Sequence, residues 1–452
     1  MEHSPLILRA NWVLPIAQEP LADGEVVIED GRIVEVRPRT THAGADVLDF
    51  GDAIVMPGLI NGHCHLEYTG LRGYNDCIPF FDWIRGLVEL KAKVPDAFWL
   101  PSALLGSAEC LASGITFVSD NTDKGVSVEA LAQGGVRGRV HQEIFGIEPE
   151  PNDNTLLEIL KGKLETHRAT LLRYGAGERV ELGVSPHAVY TVRDSLLKAV
   201  VAYARAEGLP ISMHAAESSE EIALTRSRSG SFAEMFCRRG IAYLHPRIQP
   251  IEYLHQVGIT GASTQLVHCV KVEPREVQVL AQTRTQVAHC PRSNARLITG
   301  VAPIASMRRQ GVPIVVGTDS AVSAGTLDLW EELRFGALAQ RAFSNTAQPS
   351  WRDWVLMATL EGARAFGIDS LVGSVEVGKR ADLIVVRTQR LAYLGASDPY
   401  AGLILAAQAS DVALTMVEGT ILYREGEWYT LDVTTIRRTL LNLLTGISHQ
   451  WE

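Results

Sequence analysis

The chain has 452 residues, 46% of them hydrophobic, with a net charge of −10 and a pI near 5.8. That length and apolar content suffice for one large domain, or a large domain with a smaller companion. The acidic balance argues against nucleic acid or an anionic membrane as the main partner, and no apolar run approaches the roughly 20 residues of a membrane span.

The opening residues, Met1-Glu2-His3-Ser4-Pro5, lack a basic segment, so no secretory leader is expected and the protein reads as cytoplasmic. The six cysteines, Cys64, Cys77, Cys110, Cys237, Cys269 and Cys290, form no C-x-x-C pair. They read as reduced, small apolar residues.

The first 55 residues suggest short strands. In GEVVIEDGRIVEVRP, Val26, Val27 and Ile28 run into an Asp30-Gly31 turn, and Ile33, Val34 and Val36 run back as a hairpin. GSVEVGKRADLIVVR and MVEGTILYREGEWY, near the other end, have the same character. Two β segments at opposite ends can pair into one small β-sandwich domain with the middle inserted between them. Residues 1–56 then form its N-terminal part, and 366–452 its C-terminal part with a terminal helix.

Residues 57–365 alternate short apolar runs with longer helical patterns. Eight candidate strands end near His65, Asp120, Gly146, His187, His214, His268, His289 and Asp319. The helix pattern PDAFWLPSALLGSAECLASG stops at Gly114, a suitable residue to follow a helix end. Eight βα units predict an α/β fold, a (β/α)8 TIM barrel. An open doubly wound sheet would want G-x-G-x-x-G after an early strand, and none is present. Six of the 13 histidines, His63, His65, His187, His214, His268 and His289, fall at predicted strand C-termini. Barrel enzymes build their sites at that end.

In PGLINGHCHLEYTGLRG, His63 and His65 lie two apart after Ala53-Ile54-Val55-Met56. On a strand they face the same way, with Cys64 opposite. Two such imidazoles make half of a metal site, or two ordinary loop histidines. In LPISMHAAESSEE, Glu217 follows His214 by three and shares its cavity only if the strand ends near Ala215 and the chain turns. Otherwise it is a carboxylate at a helix N-terminus. TQLVHCVKV and TQVAHCPRSN place His268 and His289 after apolar runs, and VPIVVGTDSAVS does the same for Asp319. A buried Asp is costly unless it is paired, hydrogen-bonded or on metal; a helix N-cap is the other reading. The zinc deaminases that use H-x-E with P-C-x-x-C are excluded by the cysteine spacing.

Taken together, H-x-H, H-x-x-E, two further strand-end histidines and T-D-S resemble the metal-dependent amidohydrolase superfamily. The wording MPGLINGHCH, SPHAVYT, HAAES, HCPRSNARL, GTDS and GKRADLIVV extends that resemblance over nearly the whole chain. It is most similar to the deaminase and chlorohydrolase branch, which includes adenosine-type, methylthioadenosine, S-adenosylhomocysteine and aminofutalosine deaminases. The resemblance implies a hydrolase of carbon–nitrogen bonds other than peptide bonds, a cyclic amidine deaminase. It implies one divalent ion, Zn2+ with Fe2+ as the alternative, on His63, His65, His214 and Asp319. RVELGVSPHAVYT has no Lys to bridge a second ion.

In that scheme the ion lowers the pKa of water from about 15.7 toward 7 to supply hydroxide. Asp319 takes the water proton, Glu217 carries a proton to the ring nitrogen, and His268 holds the developing charge. His187 is carried over as a substrate contact, and His289 as a contact or a residue orienting a ligand. Phe80, Phe81 and Trp83 are candidates to stack on a base, with a core role expected for at least two of them. Arg72, Asp82 and Glu89 could meet a ribose or carboxylate, or serve as solvated ion pairs. The implied substrate is a small heterocycle, an adenosine derivative first. Guanine, oxoguanine, pterin, cytosine or triazine hydrolysis, including dehalogenation, is the alternative. A non-catalytic binding protein would show gaps in the ligand set, and this chain shows none. A homodimer is expected by analogy with the family.

Overall fold

In the computed structural model, which describes residues 5–40, 46–74 and 78–448, both ends of the chain feed one mixed sheet. Cys77 lies outside the described residues. Strands β1 (Leu6–Val13), β2 (Leu21–Glu29), β3 (Arg32–Pro38), β4 (Asp46–Asp49) and β5 (Ala53–Pro57) come from the N-terminal side. Asp30 and Gly31 both take positive φ, 48° and 73°, the backbone of a two-residue hairpin turn. The β2–β3 ladder on either side is therefore set by local turn chemistry.

The middle of the chain forms eight parallel strands. They are β6 (Leu59–Cys64), β7 (Ile115–Thr122), β8 (Arg137–Ile144), β9 (Val180–Pro186), β10 (Ile211–Ala215), β11 (Thr264–His268), β12 (Gln286–His289) and β13 (Ile314–Val316). Each bonds to its sequence neighbour, so spatial order equals chain order. All eight end within three residues of the positions read from the sequence. Their side chains are almost continuously buried, as parallel strands covered by helices require. Helix α1 (Phe80–Lys93) and helix α2 (Trp99–Ala112) separate β6 from β7. Gly114 follows α2 with φ of 86°, where a side chain would be strained.

Side chains and tight backbone contact close the barrel between β13 and β6. Asn61 Nδ2 donates to Thr318 Oγ1 at 2.8 Å, and Thr318 N–H donates to Asn61 Oδ1 at 3.0 Å. Asp319 N–H donates to the His63 carbonyl at 2.9 Å. A Cβ on Gly317 would lie 2.7 Å from His63 N, so only glycine permits this approach. The seam thereby brings His63 and Asp319 together.

Strands β14 (Leu383–Arg387), β15 (Val412–Val417), β16 (Thr420–Arg424) and β17 (Glu427–Trp428) return the chain to the terminal sheet. Its order is β17-β16-β15-β14-β5-β1-β2-β3, with β4 beside β1. Ile33 of β3 and Leu414 of β15 belong to one buried cluster with Leu8, Val26, Val55 and Leu383. Strands from opposite parts of the sheet thus share a core, and the sheet folds over itself. Arg137 of β8 donates to Asp382 at 2.9 Å and to Glu418 at 3.0 Å, tying barrel to sheet.

Candidate metal centre and active site

The C-terminal ends of the barrel strands converge on a cavity of about 150 Å³. His65, His187, His214, Glu217, His268 and Asp319 line it from five strand ends. A larger hollow of about 350 Å³ at the opposite end is lined by Arg284, Arg308, Arg364 and Glu361. The histidine cluster is at the first.

Three of the strands, β10, β11 and β13, are followed by backbone bends at or beside the residues that line the cavity. The rings of His63 and His65 meet edge to face with centroids 4.8 Å apart, while Cys64 is buried outside the cavity. After β10 ends at Ala215, Ala216 takes a φ of 49° and the chain turns. Ser218 caps the helix Ser219–Ser227 by accepting from Glu221 N–H, so Glu217 is not the cap. The Glu221 carboxylate accepts from the N–H groups of Ala216 and Glu217, both at 2.9 Å, and fixes that turn. His268 and Asp319 also hold positive φ, 73° and 58°. Strained backbone of this kind persists where the surroundings over-determine it.

Hydrogen bonds set the free nitrogen of two rings. His65 Nδ1–H donates to the Asn121 carbonyl at 2.8 Å, and His214 Nδ1–H donates to the His187 carbonyl at 3.1 Å. Both leave Nε2 with an open lone pair. Burial first, then neighbouring histidines, push the pKa values of His65 and His214 well below the usual imidazole range. Both ring nitrogens of His63 are buried without a hydrogen-bond partner. His63, His65 and His214 present ligand atoms within 4.8 Å of one another. Asp319 Oδ1 is 3.6 Å from His63 Nε2 and 3.7 Å from His65 Nε2. Orphaned and converging ring nitrogens around a carboxylate fit a divalent cation.

Asp319 is not a helix N-cap; Ser320 caps the short helix that follows. Its Oδ2 accepts from Ser293 Oγ at 2.6 Å and Ser323 Oγ at 2.9 Å, and its Oδ1 accepts from Ser320 N–H at 2.6 Å. Burial opposes its ionisation, but His63, His268 and His65 outweigh that and hold its carboxyl well below the usual range. Glu217 is the opposite case. Burial, reinforced by Asp319 and Glu221, raises its pKa well above the usual range. Its Oε1 lies 3.4 Å from His268 Nε2, and His268 Nδ1–H donates to Asn294 Oδ1 at 2.8 Å. Two carboxyls in one cavity whose pKa values are pushed in opposite directions suit opposite proton-transfer roles.

His187 lines the cavity, its Nδ1 paired with Thr191 Oγ1 at 2.9 Å. Phe80 and Trp83 also line it, whereas Phe81 packs against Phe232 with ring centroids 5.1 Å apart. All three belong to the buried core, the role expected for at least two of them, and Phe80 and Trp83 border the cavity as well. Arg72 is not brought there: its side chain is 41% exposed and pairs with Glu109. Asp82 pairs with Arg85 on the surface, and Glu89 is exposed outside the cavity lining. His289 is buried behind the cavity lining, 6.1 Å from the Trp354 ring. Sequence reasoning missed Lys91, Glu143 and Phe145, which all line the cavity. Glu143 had a usable signal, a carboxylate just before a strand end. Lys91 sits on α1 and had none.

The pattern of the amidohydrolase family matches residues 54–422. A 5-methylthioadenosine/S-adenosylhomocysteine deaminase of Symbiobacterium thermophilum is 34% identical over 93% of this chain and 94% of its own length. A 5'-deoxyadenosine deaminase of Methanothermobacter thermautotrophicus is 32% identical over 90% and 91%. The crystal structure of an adenosine deaminase from Xanthomonas campestris with bound zinc superposes with a TM-score of 0.86 at 27% identity, covering 99% of both chains.

Proposed function

This chain belongs to the amidohydrolase family and is a hydrolase of carbon–nitrogen bonds; on that premise we propose that it deaminates an adenosine-type nucleoside derivative. The observation that carries this reading is the buried Glu217 carboxyl in one cavity with the converging nitrogens of His65 and His214. We assign His63, His65, His214 and Asp319 as holders of one divalent ion, with zinc favoured by the zinc-bound neighbour. Such an ion supplies Lewis acidity that brings the pKa of water toward neutrality.

The protein's own groups do the rest. Asp319 Oδ1 receives the proton of the attacking water, while the two serines keep Oδ2 engaged. Glu217 Oε1 delivers a proton to the ring nitrogen as the carbon becomes tetrahedral. His268 Nε2 stands beside Glu217 and stabilises the developing charge, its ring held by Asn294. Asp319 passes its proton to the amino nitrogen, the added hydroxyl returns one to Glu217 as the carbonyl forms, and ammonia leaves. Phe80, Trp83 and Phe145 offer apolar faces that exclude water and accept a flat ring, and His187 contacts that ring.

Residues 57–365 would form the catalytic unit, with 1–56 and 366–452 as its companion. A cytoplasmic homodimer without nucleic-acid or membrane partners completes the proposal. The charge of −10 argues against a polyanionic partner, no helix among the described residues is long and apolar enough to cross a membrane, and the homodimer rests on family analogy.

The test is ammonia release from metal-analysed protein over a panel. It contains adenosine, 5'-deoxyadenosine, methylthioadenosine, S-adenosylhomocysteine, aminofutalosine, guanine, cytosine and a pterin. Strong release from an adenosine derivative is expected. Turnover of guanine, cytosine or pterin alone would overturn the nucleoside assignment.

A further inference from the structure

Glu143 stands at the end of β8, one residue before the strand terminates. Its side chain lines the cavity, and the residue is only 3% exposed. Its Oε1 is buried and has no hydrogen-bond partner. The cation sharing the cavity is engaged elsewhere: Lys91 Nζ lies 2.9 Å from Asp123 and donates to the Tyr68 hydroxyl at 2.6 Å. Glu143 presents its carboxyl within 4.8 Å of the ring nitrogens of His187 and His214, on the same cavity wall. A buried acceptor left without a donor is costly, and in a ligand cavity the missing donor belongs to the ligand.

The chemistry of the substrate says which donor that is. Once the reacting amino group faces Glu217 and His268, the rest of an N9-substituted adenine offers ring nitrogens that only accept, and carbon-bound hydrogens. The remaining strong donors of an adenosine derivative near the ring are the hydroxyls of its sugar. We propose that Glu143 is a specificity-determining residue that accepts a hydrogen bond from a ribose hydroxyl. The enzyme therefore prefers ribosides to free bases and to the matching deoxyribosides. This assignment rests on the adenosine reading above.

The experiment compares kcat/KM for adenosine, 2'-deoxyadenosine and 3'-deoxyadenosine in the zinc-loaded wild type, Glu143→Gln and Glu143→Ala, with metal content and thermal midpoint measured alongside. The wild type should lose on the order of 10²-fold on one of the deoxy substrates. Glu143→Ala should lose a similar factor on adenosine but little on that analogue, so the discrimination collapses while zinc content holds. Glu143→Gln, closest in shape, should fall between and covers the case in which the alanine variant fails to fold. Equal wild-type rates on all three nucleosides, or discrimination that survives in a folded variant, would overturn the assignment and leave the deaminase reading intact. Absence of ammonia from any nucleoside in the wild type would instead sink the adenosine reading, and the sugar contact with it.

Discussion

Buried carboxylates in the terminal sheet and at the barrel rim are treated in opposite ways. In the sheet, Glu25 is fully buried and receives Arg9 at 3.0 Å, Arg37 at 2.8 Å and Thr40 Oγ1 at 3.0 Å. Protein partners saturate it. At the rim, Glu143 keeps an oxygen with no partner, and both ring nitrogens of His63 are orphaned. Desolvated polar groups are normally closed by hydrogen bonds, so a cluster left open points to a ligand absent from the polypeptide. The sheet is built to persist, and the rim is built to receive.

The sharpest way to break that contrast is to remove the divalent ion with a chelator. Activity should fall to background and return with zinc, and the thermal midpoint should rise when zinc is added back. An unchanged midpoint together with retained turnover would mean the open nitrogens serve the fold alone. Next, Glu217→Gln should bind metal normally yet lose roughly 10²–10⁴-fold in kcat. Full activity would remove it from the proton path. Ser293→Ala takes one hydroxyl from Asp319 Oδ2, and a loss of about 10–100-fold in metal affinity or activity is expected from such a supporting contact. In the sheet, Glu25→Gln should lower stability by about 2 kcal/mol, seen in a urea midpoint, with kcat untouched. A loss of activity at unchanged stability would show that the two regions are coupled.

The smallest effect lies away from both. Burial, mainly, lowers the pKa of His167 and of His245 to about 4. The unfolded chain takes up protons near pH 6.5, the folded chain only near pH 4. Their contribution is thus complete above 6.5 and is lost as pH falls through 4. Urea midpoints measured across that window should decline, and less so in a His167→Gln variant. A flat profile would contradict the assignment.

The legible part of this protein was the part governed by neighbours in the chain. Alternation and the Asp30-Gly31 turn located the β2–β3 hairpin, and strand-end residues located all eight barrel strands. Parity put His63 and His65 on one side, and the turn required for Glu217 appears as the positive φ of Ala216. His289 obeyed the same local rule as His268 yet lies behind the cavity, because β12 delivers it toward Trp354. Arg72 follows the H-x-H motif closely but is drawn away by Glu109, an ion pair between residues 37 apart. Among Phe80, Phe81 and Trp83, helix phase decided which faces the rim, and that phase depends on where α1 docks.

Local pattern alone was enough for the number and order of the strands, the turns and the ligand-type residues at the strand ends, because pleat parity and turn propensity act over a few bonds. The seam where Asn61 meets Thr318, 257 residues away, was settled only by closure of the barrel. So were the meeting of Lys91 with Asp123 and the placing of Glu143 on the cavity wall. Those contacts join distant strands and helices, and their energies exist only once the core has packed and water has been excluded.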